Sequence, residues 1–285
     1  MKKGLSYWSF PGGLAGNFPI VEAARLAREA GYQGLELALS ADGELTPQTS
    51  DAEVERLRDA VIGEGVEIAG LASALTWETL LTAEEPRERQ AAVELVRRGL
   101  QVAAMLGVDA FLVIPGAVDV FFRPDLAGIS YQAAFDRLRG ALDELIPVAE
   151  ELRVALALEN VWNRFLLSPL ELRDLVDSCQ SPYVGVYLDV GNVMLTGYPE
   201  DWIRILGQRI HRVHFKDFNR AVGTAEGFVD LLAGDVNWPA VMASLREIGY
   251  DSYCTAELIP CYRYAPEMRW WNTSRSMDAI FALGQ

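Results

Sequence analysis

Short apolar runs bounded by turn residues recur along this chain, each followed by a stretch of helical spacing. Gly4–Trp8 and Gly34–Leu39 are the first two such runs. Between them, Pro19–Ala30 puts Ile20, Ala23, Ala24, Leu26 and Ala27 on one helical face, and Gly31 supplies the stop. Ser50-Asp51 caps a second helix to about Gly63, and Val66–Leu71 is the third strand. Pro86 opens a long helix to Leu106, Gly107 ends it, and Ala110–Ile114 is strand four. Ser130 begins a helix with Ala134, Leu138, Leu142, Leu145 and Val148 on its apolar face. Val154–Leu158 and Val184–Leu188 are strands five and six, separated by a helix that opens at Ser168-Pro169. A loop and a short helix from Pro199 lead to Ile210–Phe215, strand seven. A Gly-rich loop from Asn219 to Asn237, a helix from Pro239 to Ile248, strand eight at Tyr253–Ala256 and a closing helix between Pro266 and Leu283 complete the chain.

Strand–helix–strand alternation implies parallel pairing, because a parallel neighbour needs a long crossover. Eight such units over 285 residues predict one (β/α)8 barrel spanning 1–285, with no linker or low-complexity segment to divide it. An open doubly wound sheet is the main rival, but no GxGxxG or P-loop follows the first strand.

The last four strands each deliver a metal-competent side chain at the C-terminal end: Glu159, Asp189, His214 and Glu257. Taken singly, Glu159 or Asp189 reads as a cap on the following helix, and His214 as either a satisfied buried histidine or a ligand. Together, at successive positions round one rim, they can converge on a single ion. Three carboxylates and an imidazole suit Mn²⁺, Mg²⁺, Co²⁺ or Zn²⁺, with no thiolate to favour a softer metal. Three carboxylates that close repel one another unless a cation joins them.

Charge and cysteine content narrow the classes further. A net charge of −15 argues against a nucleic-acid-binding surface, and no basic amphipathic stretch suggests a membrane surface. The apolar stretch Ala103–Phe122 is broken by Asp109, Pro115 and Asp119, so it is a poor membrane span. MKKGLSYWSFPGG lacks the uninterrupted apolar core and cleavage site of a signal peptide. Cys179, Cys254 and Cys261 form no CxxC pair and leave an odd count, which suits a reducing compartment. A cytoplasmic location is expected. Phe121-Phe122 and Trp270-Trp271 are the candidates for covering either a homo-oligomer interface or the barrel ends.

LENVWNRFLLSP, YLDVGN, HRVHFKDF and GYDSYCTAEL resemble the sugar (phosphate) isomerase/epimerase superfamily with the xylose-isomerase-like TIM barrel. That superfamily includes D-tagatose and D-psicose 3-epimerases, L-ribulose-5-phosphate (L-xylulose-5-phosphate) 3-epimerases, hexulose-6-phosphate isomerase-like proteins and hydroxypyruvate isomerases. The resemblance implies that Glu159, Asp189, His214 and Glu257 bind one divalent ion, and that Glu159 and Glu257 also handle protons. The expected reaction is 3-epimerisation of a ketose or ketose phosphate through a cis-enediolate. Alternatives are an aldose–ketose or hydroxypyruvate-type isomerase, a lyase of the inosose or dehydroshikimate dehydratase kind, and a non-catalytic sugar-binding protein. Endonuclease IV-type repair enzymes share the barrel but need more histidines than the two present, and a basic groove.

Asn192 stands where some epimerases carry a histidine; it can hydrogen-bond a substrate hydroxyl but cannot titrate. Arg220, six residues past His214, resembles a substrate-contacting arginine, with a solvated loop arginine as the plainer reading. Lys216 either contacts substrate oxygens or pairs with a nearby carboxylate. Glu36 either binds a hydroxyl or orients Lys216. Trp162 and Trp8 are pocket walls or core packing. Gly223 and Gly227 lie in a loop whose backbone can meet a phosphate, though no basic cluster accompanies them.

Overall fold

Every apolar run becomes a buried strand, and the helices between them lie outside. A computed structural model describes residues 1–123 and 128–283. The strands are β1 Lys2–Ser6, β2 Gly34–Ala38, β3 Glu67–Ala72, β4 Ala110–Val113, β5 Ala155–Glu159, β6 Val184–Asp189, β7 Ile210–Phe215 and β8 Tyr253–Ala256. Each pairs in parallel with its sequence neighbour, and β8 returns to β1, closing an eight-stranded barrel. This is the expected TIM-barrel topology. The helices are α1 Ile20–Glu29, α2 Asp51–Gly63, α3 Pro86–Leu106, α4 Tyr131–Leu152, α5 Pro169–Ser178, α6 Pro199–Leu206, α7 Trp238–Glu247 and α8 Glu267–Ala282.

Local signals explain the boundaries. Pro at the first helical turn opens α3, α5, α6 and α7, where a missing N–H costs nothing. Ser50 and Glu53 form a capping box on α2. Gly107 ends α3 at φ +76°, a left-handed turn open to a residue without a Cβ. Helix α3 lies tightly on the barrel: a Cβ at Gly99 would sit 2.3 Å from two ring atoms of Phe111 on β4. β4, β5 and β6 are buried along their whole length, so both faces are covered.

Two expectations need correction. The first strand is two residues earlier than expected, because Ser6 accepts a bond from the Trp8 N–H and turns Tyr7–Ser9 into a 3₁₀ turn. The loop after β7 is partly regular: Asp217–Phe218 pairs antiparallel with Phe228–Val229. Among the described residues, no helix is long and apolar enough to cross a membrane.

Candidate metal centre

The register of the barrel sets the four side chains side by side. Asp189 on β6 is the ladder partner of His214 on β7, and Glu159 on β5 pairs with Tyr187, two residues before Asp189. Glu257 follows Ala256, the partner of Phe215. One donor atom from each of Glu159, Asp189, His214 and Glu257 lies within 4.8 Å of the others. His214 Nδ1 faces Glu257 Oε2 at 2.8 Å, Glu159 Oε1 at 3.4 Å and Asp189 Oδ2 at 3.9 Å. All four residues are at most 5% exposed.

These residues fit a divalent ion. Donors about 2.1 Å from one centre lie roughly 3 to 4.2 Å apart, close to the 2.8 to 3.9 Å that separate His214 Nδ1 from the three carboxylates. Asp189 Oδ2 and Glu257 Oε2 are buried and accept no well-directed hydrogen bond, although cationic nitrogens lie at ion-pair distance. Two buried carboxylate oxygens with no partner beyond those ion pairs, beside an imidazole nitrogen, form a hard, anionic donor set.

Lys216 extends into the same cluster, with Nζ 3.0 Å from Asp189 Oδ2 and 2.9 Å from Glu257 Oε1. The charges push the two glutamates apart. Burial lifts Glu159 to about 7 against the hydrogen bond from His214. Burial acts on Glu257 as well, but Lys216 and His214 outweigh it and hold that carboxyl at about 2.

Neighbouring residues lock the strand ends. Asp189 Oδ1 accepts from the Asn192 N–H at 2.7 Å and caps the single helical turn Val190–Val193, so the capping and cluster readings of Asp189 are both realised, one per oxygen. Asn160 bridges β5 to β6, accepting from the Asp189 N–H at 2.8 Å and donating to its carbonyl at 2.9 Å. Asn192 donates its side-chain amide to the Asn160 carbonyl at 3.0 Å, and Trp162 Nε1 donates to the Asn192 carbonyl at 3.0 Å. Trp162 stacks on Phe228 at 5.1 Å, and Phe228 lies 5.6 Å below the Lys216 ammonium. Beyond Trp162 opens a cavity of about 560 Å³ that Asn160, Asn192, Val193, Leu166 and the Gly223–Glu226 turn also line.

Other candidates lie elsewhere. Glu36 is fully buried and contacts His214 Nε2 and the Tyr187 hydroxyl, neither the cavity nor Lys216. Arg220 is turned to the β6–α6 loop, with Nη2 2.6 Å from the Gly197 carbonyl and its guanidinium 4.5 Å from the Tyr198 ring centre. Trp8 is a buried core residue, and Trp270 is buried and packs on Phe10 at 4.9 Å. Phe121 and Phe122 are exposed. Gly223 lines the cavity, and Gly227 is packed on Phe218. Sequence reasoning missed Asn160 and Asp217. Asp217 follows Lys216 and is buried, with its carboxylate accepting from the N–H groups of Phe218, Leu232 and Val236 and from Trp238 Nε1. The HFKDF motif holds the signal for Asp217: an acid beside strand seven with no solvent to face.

A closed parallel barrel with an acidic, histidine-containing cluster at its C-terminal rim defines a class of metal-competent TIM barrels. The xylose isomerase-like TIM barrel family model matches residues 24–275, and the chain belongs to that family. Among curated relatives, a 3-oxo-isoapionate decarboxylase of Pectobacterium atrosepticum is 30% identical over 53% of this chain and 55% of its own. An L-ribulose-5-phosphate 3-epimerase of Shigella flexneri is 23% identical over 81% of this chain and 78% of its own. The chain spans little more than half the length of the decarboxylase and of an archaeal relative. Among solved structures, D-psicose 3-epimerase with D-tagatose from Clostridium cellulolyticum H10 shares the fold at TM-score 0.81, 18% identity and 99% coverage of both chains.

Proposed function

We propose that this protein is a metal-dependent 3-epimerase of a ketose or ketose phosphate. The carrying observation is the placement of the two glutamates. In the barrel order β5-β6-β7-β8, Glu159 and Glu257 stand at the two ends of the arc, with Asp189 and His214 between them. Epimerisation needs a proton taken from one face of a carbon and returned to the other, and two carboxyls flanking the reacting carbon supply that pair.

Glu159, Asp189, His214 and Glu257 would hold one divalent ion, with Mn²⁺, Mg²⁺, Co²⁺ and Zn²⁺ as the candidates. Such an ion acts as a Lewis acid, acidifying the C–H next to the ketose carbonyl and stabilising the enediolate. Either glutamate can take the proton and the other return one, and which does which depends on the chirality of the substrate. The C3 proton passes to one carboxylate, the cis-enediolate forms, and the other carboxyl delivers a proton to the opposite face. Lys216 supplies a positive charge to the substrate oxygens. Asn192 fixes Asp189 through its backbone N–H and lines the cavity beside Trp162, which offers room for the far end of the sugar. The free cysteines and the carbohydrate chemistry favour a cytoplasmic enzyme.

A second reading, a lyase, draws on the likeness to a decarboxylase, since both chemistries pass through an enolate. One assay separates them. Protein loaded with each candidate metal is incubated with a panel of ketoses and ketose phosphates, and the products are identified by NMR. A C3 epimer supports the epimerase. An aldose moves the assignment to aldose–ketose isomerisation, and a dehydrated or decarboxylated product to the lyase. Sugar binding without turnover would leave a non-catalytic sugar-binding protein.

A further inference from the structure

The side of His214 facing away from the cluster is built as carefully as the side facing it. Its Nε2 lies 3.0 Å from Glu36 Oε2 and 3.1 Å from Glu36 Oε1, and the Tyr187 hydroxyl donates to that same Oε2. His214, Glu36 and Tyr187 are each 0% exposed. They come from β7, β2 and β6, so the contact crosses the barrel interior. Room for it is provided by Gly70 on β3: a Cβ there would lie 3.0 Å from the Tyr187 hydroxyl and 3.7 Å from Glu36 Oε2.

A neutral imidazole carries one proton, and only the bare nitrogen can bind a metal. A carboxylate accepts hydrogen bonds and donates none. Without a metal the ring can carry a proton on each nitrogen; once an ion displaces the Nδ1 proton, Glu36, already accepting from the Tyr187 hydroxyl, holds the remaining proton on Nε2 and leaves the Nδ1 lone pair for the ion among Glu159, Asp189 and Glu257. We propose that Glu36, buttressed by Tyr187, is a positioning residue that selects the Nε2–H tautomer of His214 and thereby makes Nδ1 the metal ligand. This gives Glu36 a role distinct from substrate contact: it acts only through His214.

The test uses Zn²⁺, which is diamagnetic, on the full-length protein. The chain has two histidines, so ¹⁵N-histidine labelling yields signals from His211 and His214 alone, and His211 serves as the internal control. Zn²⁺ affinity is measured by competition with a chromogenic chelator. In wild type we expect Zn²⁺-loaded His214 as the Nε2–H tautomer. In Glu36→Gln the amide can donate to Nε2, and we expect affinity weakened about 10- to 100-fold together with altered His214 nitrogen shifts. Tyr187→Phe removes one hydroxyl from the same chain of contacts. It should weaken affinity in the same direction by a smaller factor, and it decides the matter if Glu36→Gln does not fold. Affinity within threefold of wild type overturns the proposal, as does weakening with unchanged His214 shifts, which would assign the effect to packing. The proposal rests on the metal reading of the cluster. Wild type that binds no metal would sink that reading, whereas normal binding in Glu36→Gln would sink this one alone.

Discussion

Removing the Asp217 carboxylate should loosen the loop over β7 while leaving the four cluster residues in place. Asp217 is fully buried, and its two oxygens divide four donors. Oδ1 takes the N–H of Phe218 at 2.9 Å and of Val236 at 3.2 Å; Oδ2 takes the Leu232 N–H and Trp238 Nε1, both at 2.9 Å. Asp217→Ala leaves those donors without their acceptor, each costing about 1–3 kcal/mol where water cannot replace it. Leu232 is 49% exposed, so water can reach its amide; the other three donors sum to about 3–9 kcal/mol, and relaxation around the site brings the expected loss to the low end, about 3–5 kcal/mol. At roughly 2 °C per kcal/mol for a chain of this size, Tm should fall about 6–10 °C. Asp217→Asn keeps one acceptor oxygen but turns an amide NH₂ toward the other two donors, so about half that loss is expected. Thermal and urea melts followed by circular dichroism measure the change. Limited trypsinolysis adds a local readout, because Arg220 is the one tryptic site between Asn219 and Asn237. A loss under about 1 kcal/mol in Asp217→Ala, with cleavage after Arg220 no faster than in wild type, would refute the reasoning.

Further outcomes follow from the same geometry. Chelation should destabilise the protein: a metal present at 1,000 times its Kd contributes about 4 kcal/mol, or roughly 8 °C in Tm, and a shift under 1 °C with all of Mn²⁺, Mg²⁺, Co²⁺ and Zn²⁺ would contradict the site. In chelator-treated protein, Glu159 titrates near 7 rather than its ordinary 4.5, so the folded state binds the extra proton. Its contribution is fully present below about 4.5 and is lost as pH rises through about 7. The melting temperature should therefore fall from pH 5 to 7.5, and Glu159→Gln should flatten that slope; an equal slope counts against it. Gly99→Ala gains about 1 kcal/mol of helix propensity, but the new Cβ would meet Phe111 at 2.3 Å. Overpacking of about 1–3 kcal/mol wins, and urea melts should show net destabilisation.

The barrel was legible because its signals are local. Apolar runs, prolines at helix starts and Gly107 at a helix end all act within a few residues. The cluster was legible for a related reason: Glu159, Asp189, His214 and Glu257 each follow a run whose strand identity is plain, and one topology places all their ends on one rim. What stayed hidden depends on contacts across the barrel. Glu36 reaches His214 over 178 positions and Tyr187 over 151, separations that no periodicity records. Arg220 has two readings in the sequence, a substrate contact by resemblance or a loop arginine, and only the fold shows that the hairpin after Asp217 carries it to Gly197 and Tyr198. Asp217 went unassigned because its role exists only once a later loop folds back on it.

The most direct test of the central claim is solvent proton exchange. Metal-loaded wild type, Glu159→Gln and Glu257→Gln are incubated in D₂O with the ketose panel, and deuterium at C3 is followed by NMR. We expect wild type to place deuterium at C3 with a new C3 epimer, and each variant to lose about 10²–10⁴ in rate. No exchange at C3 by wild type with any panel member, or exchange at the wild-type rate in either variant, would contradict a two-glutamate epimerase.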